Sequence, residues 1–175
     1  MSDYKGIQGT AVQNFAGDPD TPIIGQVWYN SLSGTFRYNE AAPQLGAWQT
    51  GGNLNTARSV GGTAGVQTAA LAFGGSAPPI TGATESYNGT SWTTLPASMN
   101  TARAQFGDCG ATNTAALAAG GETTVNVANN ETWNGTSWTE VGDLNTTRRN
   151  LKAAGTSTAA VAFGGFSTVD TGATE

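Results

Sequence analysis

The chain has 175 residues, enough for one ordinary domain or two small ones with a sizeable core. Only 11% of residues are charged, 25 are Gly, one is Cys and none is His, so the usual zinc, copper and haem sites and a Ser-His-Asp or Cys-His nucleophile are excluded within the chain. Seven Lys and Arg against twelve Asp and Glu give a net charge of −5, which opposes an electrostatic grip on nucleic-acid phosphates or anionic lipid. The start, Met1-Ser2-Asp3-Tyr4-Lys5-Gly6, has no apolar signal region, and no run approaches the ~18 apolar residues of a membrane span, so a soluble product made in a cytoplasm is expected. Residues 1–22, with Gly17-Asp18-Pro19-Asp20-Thr21-Pro22, lack periodicity and read as an extended N-terminal arm. Asp18 and Asp20 have Asp-x-Asp spacing, but without further oxygen donors nearby a Pro-containing turn explains them better than calcium. Residues 25–30 and 35–39 are aromatic and alternating, joined through Ser31-Leu32-Ser33-Gly34, which predicts a β-hairpin.

The remainder, residues 53–175, repeats itself. Asn55-Thr56-Ala57-Arg58 returns as Asn100-Thr101-Ala102-Arg103 and Asn145-Thr146-Thr147-Arg148, with the arginines 45 residues apart. Ala69-Ala70-Leu71-Ala72-Phe73-Gly74-Gly75 recurs as Ala115-Ala116-Leu117-Ala118-Ala119-Gly120-Gly121 and Ala159-Ala160-Val161-Ala162-Phe163-Gly164-Gly165. Glu85-Ser86-Tyr87-Asn88-Gly89-Thr90-Ser91-Trp92 returns as Glu131-Thr132-Trp133-Asn134-Gly135-Thr136-Ser137-Trp138, and Glu175 stands where it would begin again. Five Trp, four Tyr and six Phe argue for packing over disorder. Each unit reads as four strands: the small-residue stretch ending in Gly65, Gly110 or Gly155, the Ala-rich run into Gly-Gly, the segment from Glu to Tyr or Trp, and the segment from Trp92 or Trp138 onward. Asn88-Gly89 and Asn134-Gly135 predict two-residue type I′ turns between the third and fourth, with positive φ at both central residues. Small side chains on both faces of the first two strands suit sheets crowded around an axis. Four short strands per ~45 residues is the signature of a propeller blade.

A Gly-Gly doublet, then Tyr87 or Trp133, then Trp92 or Trp138, with an Arg opening the next unit, resembles the kelch repeat of β-propellers over residues 53–175. More narrowly, the Ala-rich strand before Gly-Gly, the Asn-Gly-Thr-Ser-Trp phrase and Asn-Thr-Ala-Arg are similar to kelch-like repeats in virion proteins of tailed bacteriophages, where an N-terminal phrase like Gly25-Gln26-Val27-Trp28-Tyr29-Asn30-Ser31 commonly precedes the repeats. The expected fold is therefore all-β, with four-stranded antiparallel blades after an extended arm and a hairpin. Phe36-Arg37-Tyr38-Asn39 followed by Gly46-Ala47-Trp48 echoes the third and fourth strands, so residues 23–52 are expected to hold the hairpin and a half blade. Such a count gives three blades, fewer than the four or more that close a ring. Either the natural chain continues past Glu175, or two chains pool blades into a six-bladed ring.

Arg58, Arg103 and Arg148 are able to form a guanidinium ring for an acidic glycan, but a position kept in every repeat more readily serves the repeat by pairing with Glu85, Glu131 and Glu175 or nearby carbonyls. Trp92, Trp133 and Trp138 suit sugar stacking, yet filling wedge-shaped space between blades is the better expectation. With Gly74, Gly75, Gly120, Gly121, Gly164 and Gly165, these arginines and Trp92 and Trp138 serve as structural markers of the repeat. Cys109 aligns with Ala64 and Ala154, a small buried position. Recognition is expected on the loops after Gly-Gly, which differ while their flanks match: Pro78, Pro79 and Ile80, then Thr124, Val125 and Asn126, then Ser167 and Thr168. No catalytic, cofactor-binding or metal-ligating residue is assigned. The resemblance implies a non-enzymatic phage virion protein, made in the host cytoplasm, of tail-fibre or tail-associated type. Its arm would hold other virion proteins, its propeller would meet a host-surface glycan or protein, and it would form a homo-oligomer. A cellular kelch adaptor for a protein partner is the alternative.

Overall fold

The computed structural model describes residues 12–21, 23, 25–39 and 48–175. The chain divides into two compact units, residues 1–49 and 50–175, and every regular element among the described residues is a strand.

In the first unit, strand β1 (Gln13–Phe15) lies parallel to β2 (Val27–Asn30), which forms an antiparallel hairpin with β3 (Thr35–Tyr38). The hairpin is where the aromatic alternation places it. Its turn is fixed by Asn30, whose side-chain carbonyl accepts the backbone N–H groups of Leu32 and Ser33 at 3.1 and 3.0 Å. The segment read as an arm contributes β1, while residues 1–11 and 22 of it lie outside the described residues. Asp18 holds this arrangement: its carboxylate accepts Trp28 Nε1–H at 3.1 Å and Asn30 Nδ2–H at 2.8 Å, and Arg37 stands 3.5 Å away. Of the half blade expected in residues 23–52, residues 40–47 lie outside the described residues, Thr35–Tyr38 pairs with Val27–Asn30, and Trp48 is fully exposed.

The second unit contains the repeats. The first forms a meander of β4 (Gly62–Val66), β5 (Ala69–Phe73), β6 (Thr84–Tyr87) and β7 (Trp92–Thr94), hydrogen-bonded in that order. The second repeats it with β8 (Gly107–Thr112), β9 (Ala115–Glu122), β10 (Asn126–Trp133) and β11 (Trp138–Val141). The third supplies β12 (Lys152–Gly155) and β13 (Ala160–Phe163), with Ala162 and Glu175 exchanging backbone hydrogen bonds where a third strand begins. All neighbours in these three sheets are antiparallel.

The sheets meet through their first strands, β4 against β8 and β8 against β12. Small residues permit this approach: a Cβ on Gly110 would lie 2.9 Å from the Ala64 side chain. Away from those strands the space widens and aromatics fill it. Leu71 and Phe73 of the first sheet are buried beneath Phe106, Trp133 and Trp138 of the second. The Phe73 ring stacks on Phe106 at 5.7 Å and meets Trp138 at 4.8 Å, while Trp138 Nε1–H donates to Thr84 Oγ1 at 2.9 Å. A smaller cluster of Ala119, Leu144, Leu151 and Ala162 joins the second and third repeats.

The Asn-Gly turns differ from expectation. Tyr87 pairs with Trp92 and Trp133 with Trp138, so each loop holds four residues and not two. Gly89 and Gly135 have φ of 93° and 94°, but Asn88 and Asn134 do not have positive φ. The physical reason is an Asx turn: Asn88 Oδ1 accepts the N–H groups of Thr90 and Ser91, both at 3.0 Å, and Asn134 does the same for Thr136 and Ser137, both at 2.9 Å. The side chain thus supplies the closure that a tight type I′ turn would obtain from its own backbone.

Candidate functional site

Each repeat is locked by one buried ion pair. Arg58 pairs with Glu85, Arg103 with Glu131, and Arg148 Nη1 with Glu175 Oε1 at 2.7 Å. Five of the six side chains are at most 3% exposed, and Glu175 is 17% exposed. A buried pair offsets its desolvation best when the remaining polar atoms are also met; here most are, but Arg103 Nε and Arg148 Nε and Nη2 are buried with no hydrogen-bond partner among the described residues. Glu85 accepts the N–H groups of Asn55 and Thr56 at 2.7 and 3.1 Å, and Glu131 those of Asn100 and Thr101 at the same distances. Arg58 donates to the carbonyls of Gly74 and Ala83 at 3.2 and 2.7 Å. Burial pulls the Arg103 pKa down, opposed chiefly by its hydrogen bond to Glu131. The Asn-Thr-x-Arg phrase is therefore a loop clamped to the third strand of its own repeat, and its guanidinium groups are not available to a glycan.

Above this clamp the Gly-Gly doublet turns the chain. Gly74 and Gly75, Gly120 and Gly121, and Gly164 and Gly165 all have φ between 60° and 110°. A Cβ at the second position of each would lie 2.7 Å from the carbonyl oxygen of Ser59, Ala104 or Arg149, so only Gly fits. The residue after the doublet bridges back to that same residue: Ser76 to Ser59, Glu122 to Ala104 and Phe166 to Arg149. The chain then makes a tight hairpin tip, closed by bonds from Ala77 N–H to Pro79 O, Thr123 to Val125 and Ser167 to Val169, at 3.0 to 3.3 Å.

The sequence-predicted residues lie on these tips. Pro78, Pro79, Thr124, Val125 and Thr168 are exposed, while Ile80, Asn126 and Ser167 are half-buried. Asn126 is bound within the fold, donating from Nδ2 to the carbonyls of Phe166 and Ser167 at 3.1 and 2.7 Å. That bond ties the second tip to the third. The apolar positions Pro79, Val125 and Val169 are equivalent by sequence, and Val125 and Val169 are 64% and 66% exposed. Sequence reasoning included Val169 in the third variable loop, residues 166–170, but did not single it out, although its register with Val125 was available.

Sequence reasoning missed an inner row. Val60, Gln105 and Asn150, two residues after each arginine, adopt left-handed backbone with φ of 49°, 58° and 56°. Gln105 N–H donates to Val60 O at 3.0 Å and Asn150 N–H to Gln105 O at 2.7 Å. A hydrogen-bonded chain thus links the three repeats beside the tips. Arg149 completes this end, its guanidinium 4.9 Å above the Phe166 ring and its Nη1 2.8 Å from Glu122 Oε2. The opposite end of the sheets carries the turns at Thr68 and Thr114, which approach Gly89 and Gly135.

The tryptophans divide by position. Trp133 and Trp138 are 2% and 5% exposed between sheets, whereas Trp92 is half-buried with its ring 5.0 Å from Tyr87. Cys109 is buried with Sγ 3.7 Å from Thr156 O, and burial, then Asp108, pushes its thiol pKa up. No protein-family model matches the sequence, and no curated protein matches it.

Proposed function

We propose that the chain is a structural, non-enzymatic virion protein of a tailed bacteriophage, of tail-fibre or tail-associated type. The observation that carries this reading is the contrast within each repeat: an unchanging buried frame of Arg, Glu and Gly-Gly supports exposed hairpin tips whose sequences differ. A frame of this kind fixes backbone positions and leaves side chains on one end free to diversify, which is how rigid scaffolds present recognition loops. The repeats are blades of a kelch-like β-propeller, and their tips meet a host-surface glycan or protein. Each contact is weak, and several copies on one particle raise avidity by ~10²–10⁴ over a single site. The N-terminal unit, whose Gly25-to-Ser31 phrase carries the resemblance to virion proteins, anchors the chain to other virion proteins after synthesis in the host cytoplasm.

Mass spectrometry of purified particles from the phage encoding this chain tests the assignment. The full chain is expected in intact particles, and a version lacking residues 1–49 is expected to be made but left out. Recovery of the full chain only in the host cytoplasm, bound to a cellular protein, would overturn the virion assignment in favour of an adaptor.

A further inference from the structure

The phrase Asn-Gly-Thr-Ser-Trp occurs twice, at residues 88–92 and 134–138, and each copy joins the third and fourth strands of its repeat. In both loops the side-chain oxygen of Asn faces two backbone N–H groups: those of Thr90 and Ser91 stand 3.0 Å from Asn88 Oδ1, and those of Thr136 and Ser137 stand 2.9 Å from Asn134 Oδ1. Among the described residues the N–H groups of Gly89 and Gly135 have no hydrogen-bond partner. Each loop thus holds together an amide carbonyl, a pair of donors on its oxygen and, next along the chain, a free backbone nitrogen.

These are the parts that cyclisation of asparagine requires. The Gly nitrogen gives its proton to hydroxide, and its electron pair forms a bond to the Asn Cγ. Negative charge gathers on Oδ1 as that bond forms, and donors already aimed at this oxygen stabilise the charge where it develops. The Cγ–Nδ2 bond then breaks, ammonia leaves with a proton taken from water, and a five-membered succinimide remains. Water adds to one of the two succinimide carbonyls and opens the ring, giving either aspartate or isoaspartate, whose main chain runs through the side-chain carbon. Gly after the Asn carries no side chain to obstruct ring closure.

The two loops differ at the leaving amide. Asn134 Nδ2 donates to Ser137 Oγ at 3.3 Å, which fixes the plane of that amide, whereas among the described residues Asn88 Nδ2 has no partner and its amide is held by the oxygen alone. We infer that Asn88-Gly89 is a site of spontaneous covalent modification, deamidating through a succinimide in the folded protein, and that Asn134-Gly135 reacts more slowly because its amide is tied down. Both sites share the same Asn-Gly-Thr-Ser-Trp sequence, so the fold alone separates them. The inference does not depend on the virion role or on what the tips bind. Aspartate at position 88 keeps the path of the main chain and accepts the same N–H groups more strongly. Isoaspartate inserts a carbon into the main chain between the paired residues Tyr87 and Trp92 and so disturbs the end of the β6–β7 ladder.

The full chain, incubated folded in mildly alkaline buffer and digested at intervals under acidic conditions, tests this by mass spectrometry, with isoaspartate told from aspartate by fragmentation. The peptide holding Asn88 is expected to gain the mass of an amide-to-acid exchange several-fold sooner than the peptide holding Asn134. In the chain unfolded by urea the two are expected to react at closely similar rates, which assigns the native difference to the fold. Ser137→Ala frees the second amide and is expected to bring the Asn134 rate up towards that of Asn88. Asn88→Gln, which cannot close a five-membered ring, is expected to keep its amide. A folded chain whose Asn88 stays intact over the time in which the unfolded chain reacts would overturn the proposal. Equal native rates at the two sites, or a faster Asn134, would overturn it as well.

Discussion

At the scale of single residues, the repeat depends on a charge placed where water does not reach. Glu131 is fully buried and neutralises Arg103, and it also accepts two loop N–H groups. Glu131→Gln keeps the shape but leaves a buried guanidinium unpaired, which is expected to cost about 3–5 kcal/mol in chemical denaturation. Glu175→Gln is expected to cost clearly less, because Glu175 is 17% exposed and water can partly replace it. Equal losses at the two sites would contradict the role given to burial. The pairing itself was legible in the sequence, since Arg and Glu recur once per unit, 27 or 28 residues apart. The left-handed backbone at Val60 and Gln105 was not legible. Neither residue favours that region, and the conformation is imposed by the bond from Gln105 N–H to Val60 O, a contact between repeats.

At the scale of elements, the strands of the repeats were legible because small-residue runs, Gly-Gly and Asn-Gly punctuate them at a near-regular period, the Gly-Gly doublets 46 and then 44 residues apart. Pairing of Gln13–Phe15 with Val27–Asn30 was not, because parallel neighbours need no local turn signal. Its clasp is Asp18. Hydrogen bonds from Asn30 and then Trp28, with the Arg37 charge, hold the Asp18 carboxyl below its ordinary value near 3.8. A carboxyl with a depressed folded pKa stabilises the fold fully above its unfolded value, and that contribution is lost as pH falls through the folded pKa. The Trp28 indole N–H resonance, followed by NMR, is therefore expected to hold its position down to about pH 4 and to move only below it. In Asp18→Asn the acid-dependent movement is expected to vanish. An indole signal that moves between pH 5 and 7 would contradict the clasp.

At the scale of the whole molecule, scarcity of charge and abundance of Gly, Ala and Thr follow from sheets that crowd along their first strands. The tip residues read from sequence variation do share one end of the repeats, but Asn126 among them is tied to the neighbouring tip, and the adjoining Arg149–Phe166 cluster was invisible because its members come from separate segments. In the proposed function this end of the repeats recognises and the rest supports. This division is tested most directly by binding of the full chain to host cells after simultaneous Pro79→Asp, Val125→Asp and Val169→Asp substitution. All three sites are exposed, so the melting temperature is expected to stay close to wild type while binding falls by at least ~10²-fold. Binding that survives these substitutions, and is lost instead on changing Thr68, Thr114 and Thr158 in the turns between the first and second strands, would contradict it.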